Sequence, residues 1–208
     1  FDKAIELLET AIEKLPEAAS LFALLALAYQ NQGDADEALK YYEKTRSIDP
    51  DSISAQVGVA AMMALQGRYS EAGELLETLL ASHPEHPGVK TTYTTLAYKF
   101  GATDKAIEIA EREIKNSGTP ERTKATYCFA LAHLREKKGE LDTAFEHYVA
   151  GNRFRNARFD HTSYDGMFRT LIKQYSAEAM RKLPQSSNSS SNVILIIGMP
   201  RSGTSLAE

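Results

Sequence analysis

Cysteine is nearly absent from the 208-residue chain, where Cys128 stands alone. No intrachain disulfide can form and nothing marks an oxidising compartment, so a cytoplasmic location is expected. A basic excess is also lacking. With a formal net charge of −4, the chain offers neither nucleic acid nor an anionic membrane the positive surface that each needs. The longest apolar run towards the C-terminal end, residues 193–197, reads Val-Ile-Leu-Ile-Ile, far short of the roughly 20 residues that cross a bilayer. His83, His86, His133, His147 and His161 are scattered without paired ligand spacing. They read as ordinary surface or core histidines, so no metal is expected, and Cys128 reads as a small apolar packing residue.

What the chain does have is apolar content and periodicity. At 43% apolar residues it can bury a core without metal or disulfide. Pro16, Pro50 and Pro84 lie 34 residues apart; Gly33, Gly67 and Gly101 keep the same interval, and so do Ala4, Ala38, Ala72 and Ala106. Each residue type has a reason for its place. The glycine closes a first helix, where a left-handed backbone suits a residue without a side chain. The alanine lets the second helix approach the first. The proline stops the second helix, since it has no N–H to donate and disfavours helix in the residue before it. A further small series, Ala26, Ala60, Thr94 and Ala132, falls where helix pairs should cross.

This helix, turn, helix, stop unit resembles the tetratricopeptide repeat (TPR) family. Phe22, Leu25, Ala26, Tyr29, Gly33, Ala38, Tyr42 and Pro50 match its pattern almost completely, whereas Met63 stands where an aromatic is usual. Residues 87–118 lack both the aromatic and the proline, and a last unit with Gly139, Ala144 and Tyr148 is displaced by four residues. An insertion at Ser117, Gly118, Thr119 and Pro120, between helices, accounts for the shift. Phe1 begins in a second-helix pattern, so the chain is expected to start half-way through a repeat. The resemblance implies an all-α solenoid, a right-handed superhelix of helical hairpins, over residues 1–158. Helical periodicity without the signature over residues 159–183 is expected to form capping helices.

In such an array the inner surface comes mainly from the first helix of each pair. The register puts Ala23, Leu27 and Gln30 there, then Val57, Ala61 and Ala64, then Thr91, Thr95 and Tyr98, and finally Phe129, His133 and Glu136. None of them is a Lys or Arg, so the Lys and Asn clamp of the chaperone-binding TPR proteins is missing. A weakly apolar groove for an extended protein or peptide segment is one reading; a spacer without a ligand is the other.

Residues 184–192 are polar, low in complexity and rich in Ser and Asn, as a flexible linker is. The apolar run at 193–197 that follows reads as a strand buried on both faces. After it come Gly198, Met199, Pro200, Arg201, Ser202, Gly203, Thr204 and Ser205, the layout of a loop that binds phosphate at a helix N-terminus. Thr204 occupies the lysine place of a Walker A loop, which argues against a nucleotide triphosphatase.

The loop instead looks like the 5′-phosphosulfate loop of the sulfotransferases. TPR arrays joined to that domain form a bacterial family resembling the tyrosylprotein sulfotransferases. The resemblance implies 3′-phosphoadenosine 5′-phosphosulfate as co-substrate, Arg201 as the residue that meets developing negative charge, and Ser202, Gly203, Thr204 and Ser205 as the cradle. Residues 193–208 would then be only the start of a catalytic α/β domain, and this chain by itself would be inactive. Without neighbouring strands, residues 193–197 are expected to be a sticky edge through which the chain self-associates. The competing reading is a non-enzymatic TPR scaffold that binds a peptide or partner protein.

Overall fold

The computed structural model describes residues 2–156 and 160–182. The linker, the expected strand and the phosphate-type loop, with Arg201, Ser202, Gly203, Thr204 and Ser205, lie outside the described residues. The chain divides into two units, Phe1–Ala157 and Arg158–Glu208.

The first unit is a run of antiparallel helices: α1 (Asp2–Lys14), α2 (Ala19–Gln32), α3 (Ala35–Ile48), α4 (Ile53–Leu65) and α5 (Tyr69–Ser82), then α6 (Pro87–Leu96), α7 (Thr103–Lys115), α8 (Glu121–Lys137) and α9 (Leu141–Arg155). Each packs on its neighbours in sequence, and the even-numbered helices α2, α4, α6 and α8 also touch in series. This is a solenoid of hairpins, in which every unit buries its apolar face on the next. In the second unit, α10 (His161–Gln174) precedes α11 (Ala177–Arg181).

The turns explain the 34-residue period. Gly33, Gly67, Gly101 and Gly139 have φ of 92°, 80°, 81° and 80°, a left-handed backbone region that residues with a side chain rarely adopt. The residue after each glycine donates its N–H back into the helix, as Asp34 does to Tyr29 O at 3.0 Å and Arg68 to Met63 O at 2.9 Å, closing carbonyls that would otherwise be orphaned. At the helix crossings Ala26, Ala60 and Ala132 are fully buried and Thr94 is 1% exposed. The residues added between α7 and α8 stay outside the helices, so the last repeat keeps the register of the others.

A set of polar tethers links the far ends of neighbouring hairpins. Gln32 Nε2 donates to Asp2 Oδ1 at 3.0 Å, Gln66 Nε2 to Asp36 Oδ1 at 2.8 Å, and Lys138 Nζ to Asp104 Oδ1 at 2.9 Å. At the corresponding place between them stand Phe100 and Ser70, and the tether gives way to packing: Phe100 lies over Gly73 and meets Tyr93 edge-on at 5.5 Å. There, too, the end of α6 tightens into a 3-10 turn over Ala97–Lys99. Thr94 and Thr95 hydroxyls donate back to the Lys90 and Thr91 carbonyls at 2.7 and 2.8 Å, a contact that loosens regular helix.

The third repeat is also where charge enters the core. Lys90 Nζ lies 2.7 Å from Glu113 Oε1 and 3.0 Å from Glu85 Oε2, and the Thr119 hydroxyl donates to Glu113 Oε2 at 2.9 Å. The Lys90 and Glu113 side chains are 5% and 7% exposed. Burial alone would raise the Glu113 carboxyl, but the hydrogen bonds from Lys90 and Thr119 outweigh it and hold the group below its ordinary value. Thr119, inside the insertion, thereby ties the connecting turn to the ion pair.

Two stability measurements test this packing. Lys90→Met strands the buried Glu113 carboxylate and should cost about 3 kcal/mol in urea unfolding, whereas Lys90→Met with Glu113→Leu should recover most of the loss. Because the folded carboxyl is lowered, its contribution is complete above the unfolded value of about 4.3 and vanishes as pH falls through the folded value; the double variant should lose that acid limb. At Gly73, an added Cβ would sit 2.7 Å from the Phe100 ring. Gly73→Ala should therefore destabilise by about 1 kcal/mol or more, the overpacking outweighing the gain in helix propensity, and Phe100→Ala in the same protein should remove that penalty.

Candidate functional site

Inner positions of α2, of the α6 segment and of α8 line two apolar hollows; those of α4 line neither. In the first, of about 540 Å³, Ala23, Leu24 and Leu27 of α2 face Tyr42 and Thr45 of α3, Asp49 just after it and the start of α4 at Ser54. In the second, of about 400 Å³, Thr95 and Tyr98 from the α6 segment face Phe129, Ala130 and His133 of α8. Val57 and Ala61 of α4 are half-buried on the same series of helices.

The remaining inner positions have partners within the fold. Gln30 Oε1 accepts from the Tyr42 hydroxyl at 2.7 Å, and the Thr91 hydroxyl donates to Tyr127 Oη at 3.2 Å. Glu136 accepts from Tyr148 Oη at 3.0 Å and lies 3.9 Å from His133 Nδ1. Ala64 does not offer surface: it is 6% exposed, and the next residue, Leu65, is 69% exposed. Adjacent positions on a helix point about 100° apart, and it is Leu65 rather than Ala64 that the end of α4 turns to solvent.

Aromatic contacts build the second hollow. The Tyr98 and His133 rings meet edge to face at 4.4 Å, and Phe129 leans on Tyr148 at 6.5 Å. Gly151 of α9 makes room for Phe129, since a Cβ there would come within 2.9 Å of the ring. Lys99, absent from the sequence-level set, places its ammonium 4.9 Å from the Tyr98 ring centre and 4.8 Å from that of Tyr69, a cation–π arrangement. Tyr148, Leu24, Leu65 and Lys99 all have signals in register, but each sits one place away from, or on the other helix from, the positions that the repeat assigns to the inner face.

No group of His, Cys, Asp and Glu among the described residues could hold a metal ion. The His86 imidazole accepts from the Val89 N–H at 3.3 Å and thus caps α6. Burial lowers His147, with Arg135 adding to the effect, and burial pushes the Cys128 thiol up. A buried, protonated thiol is a poor nucleophile. Maleimide labelling of Cys128 should therefore follow unfolding, near zero in buffer and complete in denaturant; rapid labelling of the native chain would overturn this.

Among known proteins, the chain spans 22% of an uncharacterised protein of Aquifex aeolicus, to which it is 29% identical over 174 residues, or 83% of its own length. It is 27% identical over 191 residues, 88% of its length, to Anaphase-promoting complex subunit 7 of Arabidopsis thaliana, of which this is 33%. It thus covers a third or less of these relatives. Among solved structures, a tetratricopeptide repeat protein from Parabacteroides merdae superposes with a TM-score of 0.61 at 15% identity, covering 82% of this chain and 64% of that one. YrrB, described as a TPR protein with an unusual peptide-binding site, superposes at 0.54 with 20% identity, covering 85% and 89%. At these identities the superpositions establish the fold. A family model described as Tetratricopeptide repeat matches residues 1–62 and again 63–112, more than half of the chain, which therefore belongs to the tetratricopeptide-repeat family.

Proposed function

We propose that this array is the protein-binding, substrate-presenting region of a sulfotransferase that uses 3′-phosphoadenosine 5′-phosphosulfate. The binding half of the reading is carried by the two mainly apolar hollows, one between α2 and α3 and one between the α6 segment and α8. A groove of that kind takes side chains of an extended segment, and YrrB, of the same fold, is described as having a peptide-binding site. Repeats of this family serve protein interaction.

The catalytic half is supported by sequence alone. Residues 198–205 read Gly-Met-Pro-Arg-Ser-Gly-Thr-Ser, directly after an apolar run. When bound, the co-substrate supplies an activated sulfuryl group. Arg201 would meet the negative charge that spreads in transfer, while backbone N–H groups of 202–205 and the hydroxyls of Ser202, Thr204 and Ser205 would hold the 5′ end. Val193 to Ile197 would be the strand that aims this loop, and a version of the chain cut off from its neighbouring strands would self-associate there.

A scaffold without catalysis is the second reading and fits equally: the Arabidopsis thaliana relative is named a subunit of the anaphase-promoting complex, whereas another, from Homo sapiens, is named a protein O-mannosyl-transferase. One experiment separates the two. Calorimetric titration of the full-length parent protein with 3′-phosphoadenosine 5′-phosphate should show saturable binding, and Arg201→Ala should lower sulfuryl-transfer turnover by about a hundredfold or more, as loss of a transition-state charge contact does, with unchanged helical content. No binding of the nucleotide, or equal turnover in the two proteins, would leave the scaffold.

A further inference from the structure

The sequences of α2, α4 and α6 read ASLFALLALAYQNQ, ISAQVGVAAMMAL and PGVKTTYTTL. Across these three stretches there is one charged side chain, Lys90, and it is buried against Glu113; the next, Lys99, stands on the 3-10 turn that follows α6. The second helices are the opposite: α7 reads TDKAIEIAEREIK. Burial does not account for the difference. Leu24, Leu27 and Leu65 are 50%, 45% and 69% exposed, and Ser20, Ser54 and Thr95 are exposed as well. Solvent-facing positions on these helices are thus filled by Leu, Ser and Thr where Lys or Glu would be soluble and good for the helix. A charged segment crossing α4 would lose hydration and find no counter-charge there; Asp49 stands at the first hollow and Lys99 and Glu136 beside the second.

The hollows add a length. The first lies between α2, the end of α3 and the start of α4, and the second between the α6 segment and α8. Helices packed in series stand about 8–10 Å apart, so two steps separate the hollows by about 16–20 Å. An extended chain rises about 3.3 Å per residue and covers that distance in five or six residues.

Resting on the reading that the inner face binds an extended segment, we infer that its ligand is a peptide with two apolar anchor side chains five or six residues apart, by this estimate, and no charge between them. One anchor fills the hollow at Leu27 and the other the aromatic hollow at Thr95, Phe129 and His133. The stretch between them runs over Val57 and Ala61, whose small side chains leave its backbone room. Uncharged spacing, rather than a carboxylate clamp, is what selects the partner.

The test is selection of displayed random peptides, about twelve residues long so that both hollows can be spanned, against the full 208-residue chain. Recovered sequences should share two apolar residues at the inferred spacing with uncharged residues between. By fluorescence anisotropy a synthetic peptide of that pattern should bind about tenfold tighter than the same peptide with either anchor changed to serine. Leu27→Asp and Thr95→Asp, both at exposed positions that leave the fold intact, should each weaken it by about the same factor. Recovery of charged or single-anchor peptides would overturn the two-anchor inference while leaving the peptide-binding reading in place. Recovery of no peptide at all would overturn both, and unchanged affinity in the two aspartate variants would move the site off this face.

Discussion

Close approach of helix backbones at Ala26, Ala60, Thr94 and Ala132 is the constraint on which the array depends. These side chains are buried to 1% exposure or less, and bulky ones in their place would push apart helices that are spaced to repeat. Because each hairpin touches its neighbours only, one such contact must recur in every unit, and the period of the sequence follows from it. The left-handed glycines then return the chain at the same point of each hairpin, so that the first helices line up and their inner positions face one lane.

The third repeat keeps this frame while changing what fills it. Elsewhere among the described residues no charged residue is buried, and between the first two hairpins Tyr42 closes over Gly58. In the third, Lys90 and Glu113 hold the two helices together and Thr119 completes the pair. A buried ion pair is weak evidence for stability, but it is demanding in geometry: both partners must arrive together with the residue that satisfies the spare oxygen. This explains how an inserted turn can be accommodated without loosening the helices on either side.

Much of this was legible in the sequence because repetition averages out local noise. Three residue types sharing one period fix the turns, the crossings and the placing of the insertion at 117–120. The inner surface was legible by helix and less so by residue. Ala64 and Leu65 differ by one position, and which of them meets solvent depends on how far the last turn of α4 is covered, which no spacing reports. Phe100 over Gly73 was hidden for another reason: the glycine that marks a close approach lies 27 positions before the aromatic that fills it. The Lys90 and Glu113 pair is invisible to pattern reading altogether, since a lysine and a glutamate on helices normally denote solvated faces.

The tethers between hairpin ends make the junctions unequal in kind. At the last junction the link is Lys138 to Asp104, with side chains 40% and 86% exposed, an attraction that dissolved ions weaken at a Debye length of about 8 Å in physiological salt. At the junction before it, Phe100 rests on Gly73, a contact that dissolved ions do not screen. The last junction therefore carries an electrolyte-sensitive contact on top of the buried packing of α8, whereas at the junction before it the corresponding contact is one of shape alone.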